Sequence, residues 1–86
     1  MAKRRIKWSP DAIEDLKSIL EYFNNRNKSK EYSKKLYAQI QNDLTQLIDN
    51  PSIGKETDII EIRCIISSNY ELIYKTFDET ILVIMI

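Results

Sequence analysis

Apolar residues fall twice on one side of a helix, and the pattern then changes to alternation. The first stripe is Ala12, Ile13, Leu16, Ile19, Leu20 and Phe23, the spacing of a helix that buries one face. Ser9-Pro10-Asp11 precedes it. Ser9 suits an N-cap, and Pro10 suits the first helical position, where its missing N–H costs nothing. Asp11, Glu14 and Asp15 place negative charge at the positive end of the helix dipole. Asn24-Asn25-Arg26-Asn27 ends this helix. A second stripe starts near Ser29 and runs through Tyr32 or Ser33, Leu36, Tyr37, Ile40, Leu44, Leu47 and Ile48. Asp49-Asn50-Pro51 stops it, because the residue before proline is pushed out of the helical region.

The rest of the chain reads as strands. Arg4–Trp8 is expected as a short first strand, with Ile6 and Trp8 on one face. Pro51-Ser52-Ile53-Gly54 is a turn in which Gly54 is expected to take a positive φ. From Ile59 to Ile66 the expectation is a strand with Ile60, Ile62, Cys64 and Ile66 on its apolar face. Glu61 and Arg63 then point away from the helices. Ser67-Ser68-Asn69 forms a hairpin loop. Tyr70, Leu72 and Tyr74 alternate with Glu71, Ile73 and Lys75, which places the two tyrosines in the core. Asp78-Glu79 turns the chain into Ile81–Ile86, apolar on both faces as a central strand is. The fold class is α+β, in the order β-α-α-β-β-β. A mostly antiparallel four-stranded sheet carries an antiparallel helical hairpin on one face.

Eighty-six residues make one domain, with a small core. With one cysteine, Cys64, and no histidine, an internal disulfide is excluded and a zinc site lacks nitrogen and sulfur ligands. The usual general base near neutral pH is missing as well. No apolar run follows the basic start, and none approaches the roughly 20 residues that span a bilayer. A cytoplasmic protein without membrane contact is expected. The net charge of zero hides a division. Residues 1–40 hold ten Lys/Arg against five Asp/Glu, and residues 41–86 hold three against eight. Lys3, Arg4, Arg5 and Lys7, with Lys28, Lys30, Lys34 and Lys35, form a basic set that suits phosphate or an acidic partner, or simply solvent.

Trp8-Ser9-Pro10 with Ala12, Asp15-Leu16, Ile19 and Tyr22 resembles the opening of the RelE/ParE family of bacterial toxins. Pro51-Ser52-Ile53-Gly54, Arg63, Tyr70-Glu71-Leu72-Ile73-Tyr74 and the apolar ending resemble its later turn and strands. The resemblance implies the toxin of a type II toxin–antitoxin pair, held by a cognate antitoxin and using no cofactor. The leading expectation is growth inhibition by ribosome-dependent mRNA cleavage, as in the family's nucleases. The alternatives are inhibition of DNA gyrase, as in its other members, and an inactive toxin that only binds its antitoxin.

The resemblance makes Arg63 the leading catalytic candidate. There it would stabilise charge as a 2′-hydroxyl attacks phosphate. The competing reading is a cross-strand ion pair with Glu61 or Glu71. Glu71 stands where nucleases often carry arginine, and is a candidate carboxylate base. Lys55 and Lys75, with Arg63, are candidate nucleic-acid contacts. Cys64 is expected as a small buried hydrophobe, and Trp8 as a core anchor. The resemblance also implies a short polar tail after the last strand, containing Arg and often His or Tyr. The sequence reaches Ile86 without one; efficient RNA cleavage is not expected if Ile86 is the true end, and a truncated chain leaves cleavage open.

Overall fold

The computed structural model describes residues 4–86, so Lys3 of the basic set lies outside the described residues. Five strands and two helices follow in the order β1 (Arg5–Trp8), α1 (Pro10–Asn27), α2 (Glu31–Asp49), β2 (Lys55–Glu56), β3 (Ile62–Ser67), β4 (Tyr70–Thr76) and β5 (Thr80–Met85). A single 3₁₀ turn, Pro51–Ile53, joins α2 to β2. The class is α+β, as expected, but the sheet is five-stranded and mixed, in the order β1-β5-β4-β3-β2. The fifth strand is the two-residue β2, which pairs with Arg63 and Cys64. β1 runs parallel to β5 and the remaining pairs are antiparallel.

The helices start for local reasons. Ser9 is extended, and its Oγ accepts the Ala12 N–H at 3.1 Å while donating to the Ile84 carbonyl at 2.7 Å. One hydroxyl therefore caps α1 and ties it to the end of the sheet. Lys28 takes the left-handed conformation (φ 51°) that ends α1. In α2 it is Ser33, not Tyr32, that is buried. Its hydroxyl meets Asn24 of α1 and donates to the Lys30 carbonyl.

Both helices lie on one face of the sheet. Ala12, Leu36, Ile40, Leu44 and Leu47 close over Leu72, Tyr74, Ile81 and Val83, all buried. Trp8, Tyr70 and Ile65 pack half-buried against this cluster. β5 lies between β1 and β4 with apolar residues on both faces, as its sequence implies.

Three expectations about the β2–β3 region are overturned. Gly54 has φ −69°, an ordinary extended value. Glycine is required for space: a Cβ there would sit 2.7–2.8 Å from ring carbons of Tyr74. β3 also begins at Ile62, and Ile59–Glu61 form a turn in which Glu61 has φ 71°. Ser67 pairs with Tyr70, Ile65 with Leu72 and Arg63 with Tyr74. Directly paired residues share a face. Arg63, Ile65 and Ser67 therefore stand on the helix side, with the buried Leu72 and Tyr74. Ile62, Cys64 and Ile66 stand on the open side with Lys75, Ile73 and Glu71.

Candidate functional site

The Pro51–Gly54 turn is built around one phenol. Tyr74 Oη donates to the Pro51 carbonyl at 2.7 Å and accepts the Gly54 N–H at 3.0 Å. Burial pushes its pKa above the ordinary tyrosine value, against the opposing pull of the Gly54 N–H and the nearby Arg63 charge. The turn so fixed presents its carbonyls to Arg63. The guanidinium donates to Gly54 O at 2.8 Å and Ser52 O at 3.4 Å, and meets Glu56 Oε1 at 3.3 Å. Its side chain is 28% exposed. Arg63 thus lies on the helix side of the sheet, and its partners are Glu56 and two carbonyls. The competing ion pair with Glu61 or Glu71 is not formed; Arg63 pairs with Glu56 instead.

Lys75 stands on the opposite, open face. Its Nζ is 3.5 Å from Glu61 Oε2 and 5.1 Å from the centre of the Phe77 ring. Arg63 and Lys75 therefore do not converge on one phosphate. Cys64 also faces the open side, half-buried, where the sequence suggested a place in the core.

Lys55 and Glu71 are brought together. Both line a cleft of about 580 Å³ at the outer edge of β3, with Asp43 and Gln46 of α2, Glu56 and the apolar Ile53, Cys64, Ile65 and Ile66. Asp43, Glu56 and Glu71 give this cleft three carboxylates against one cation. Sequence reasoning missed Asp43 and Glu56, which reach the cleft only through tertiary packing. It also missed the anchoring role of Tyr74. Among the described residues no group of three or more His, Cys, Asp or Glu is placed to hold a metal ion. None of their helices is long and apolar enough to cross a membrane.

Residues 6–86, which include every strand and helix from the second residue of β1 onward, match the family described as the ParE toxin of the type II toxin–antitoxin system, parDE. The chain belongs to the ParE toxin family. It is thus a ParE-type toxin of a type II toxin–antitoxin system. No curated protein matches it by sequence. Among solved structures, the "Chromosomal ParDE TA system from P. aeruginosa" is similar to it. The match has a TM-score of 0.78 and 16% identity, and covers 96% of this chain and 92% of that one. At that identity the likeness establishes a shared fold. Arg63, Glu71, Lys55 and Lys75 all lie inside the ParE match, on strands that this fold holds in fixed register.

Proposed function

We propose that this ParE-type toxin arrests growth by binding DNA gyrase and does no nuclease chemistry of its own. The separation of Arg63 from Lys75 carries this reading. Cleavage by 2′-oxygen attack needs cationic or N–H donors converging where charge develops on one phosphate, and an acid–base group within hydrogen-bond reach. Here the Arg63 guanidinium is held by Ser52, Gly54 and Glu56 on the helix side. Lys75 is held by Glu61 on the open side. Glu71 lies on that open face opposite Ile66, two pairs beyond Cys64 and Ile73. A protein target makes no such demand, because it is recognised through shape and desolvated contacts.

The antitoxin of the pair would bind the same chain, so neutralisation and target binding compete for its surface. A supercoiling assay tests the reading. The toxin should stall gyrase–DNA cleavage complexes, and mRNA ends in a translating extract should be unchanged. Codon-linked mRNA ends with supercoiling unaffected would sink it. Co-purification with the product of the neighbouring gene tests the antitoxin separately.

A further inference from the structure

We propose that the outer edge of β3 is a docking site for a short, extended, basic segment of a protein partner. This assignment does not depend on which target the toxin stops. β2 accompanies β3 only at Arg63 and Cys64, and the chain then leaves as the Pro51–Ile53 turn. Beyond Cys64 no strand lies beside β3 on its outer side. Ser67 and Tyr70 close the hairpin to β4, so the intervening Ile66 directs its N–H and C=O outward. An unpaired strand edge of this kind accepts another chain by main-chain hydrogen bonds.

The surroundings specify the side chains of that segment. Ile66 is 72% exposed on the open face. Glu71 is its direct partner on β4, and it has no ion pair among the described residues. A residue docked opposite Ile66 also points to the open face. A lysine or arginine there lays its methylene stem over Ile66 and brings its charge to Glu71. The flanking residues point to the helix side, toward Ile65, Gln46 and the carboxylate of Asp43, which also line the cleft. Arg63 already pairs with Glu56, which leaves Asp43 and Glu71 against Lys55 in the cleft, so an acidic segment is repelled where a basic one is drawn in.

Two synthetic seven-residue peptides test this on the full chain, followed by amide NMR. One alternates lysine with valine, and the other alternates glutamate with valine. The lysine peptide should shift the amides of Ile66, Ser67, Lys55 and Asp43, and bind at least tenfold more tightly than the glutamate peptide. Glu71→Lys, an exposed position that leaves the core intact, should weaken the lysine peptide at least tenfold. N-methylation of the peptide's central amide should weaken it as well, because the edge hydrogen bond is lost. Equal binding of the two peptides, no binding, or shifts centred elsewhere would overturn the proposal. So would concentration-dependent shifts at Ile66 without peptide, which would make a second copy the occupant. An oligoribonucleotide that shifts the same amides would overturn it too.

Discussion

Tyr74 is the residue on which the candidate region turns. Its ring is fully buried, and its hydroxyl holds both Pro51 and Gly54. Tyr74→Phe leaves the Gly54 N–H buried without that partner and should cost about 1–3 kcal/mol in denaturant unfolding. The pH dependence follows from the raised pKa. The phenol is neutral when protonated, and folding favours that form. Its contribution is fully present below the unfolded value of about 10 and is lost as pH rises through the higher folded value. The stability gap between wild type and Tyr74→Phe should therefore narrow above pH ~10, and a constant gap up to pH ~11 would contradict it. Arg63 makes a second case. If its role is to brace the turn, Arg63→Gln should lower stability by about 1 kcal/mol, as expected for a half-exposed ion pair with carbonyl contacts. Growth arrest on expression without antitoxin should then stay within about threefold of wild type. A loss of ~100-fold or more with the fold intact would return Arg63 to a catalytic role.

At the scale of elements, the two helix starts differ in consequence, because α1 is capped by Ser9 while α2 has Lys30 at its N-cap and no side-chain cap. Ser9 Oγ bonds both α1 and the Ile84 carbonyl, whereas Ser29 Oγ accepts only the exposed Glu31 N–H. Ser9→Ala should cost about 1–2 kcal/mol and Ser29→Ala under ~0.5 kcal/mol, measured by thermal or chemical unfolding. Equal costs would mean that the link to Ile84 adds nothing. The helices and the β3–β4 and β5 strands were legible because their apolar periods are long and their ends carry Ser-Pro, Asn-Pro and hairpin signals. β2 was not. Lys55 and Glu56 are both exposed, and only pairing with β3 makes them a strand. The inward face of β3 was misjudged because it carries isoleucine on both sides. A usable signal was present: a two-residue Ser68–Asn69 loop, with Ser68 at φ 56°, sets Ser67 opposite Tyr70. Primed hairpin turns of this length fix the register. Once Tyr70, Leu72 and Tyr74 are placed inward, Arg63, Ile65 and Ser67 must follow them. Gly54 was the converse error, since its cause is a ring on another strand, invisible to local sequence.

At the scale of the whole molecule, sequence order and spatial order part company. The first strand lies against the last, parallel to it, with Ile6 opposite Ile81 and Trp8 opposite Val83. Nothing in the hydrophobic pattern announces that pairing. It follows because a strand preceding the helical hairpin finds its open neighbour only at β5. The ends of the described chain are tied together there: Ser9 N–H donates to Val83 O at 2.9 Å, and Arg5 N–H to Glu79 O at 3.0 Å. β1 is nevertheless an edge strand with one partner and no fully buried residue. β4 and β5 each have neighbours on both sides and contribute Leu72, Tyr74, Ile81 and Val83 to the core beneath the two helices. Local opening follows the density of buried contacts and the solvent exposure of backbone hydrogen bonds. Native-state hydrogen exchange should therefore show three tiers. Amides of Leu72–Tyr74, Ile81–Val83 and the Ile40–Leu47 stretch should exchange slowest, near the rate of global unfolding. Those of β1 should exchange earlier, and those of the exposed Asp58–Glu61 turn earliest. The order also bears on function, because a partner that pairs with the β3 edge would slow the Ile66 amide selectively. Protection of β1 equal to that of β5 would mean instead that the parallel pair opens only with the whole sheet.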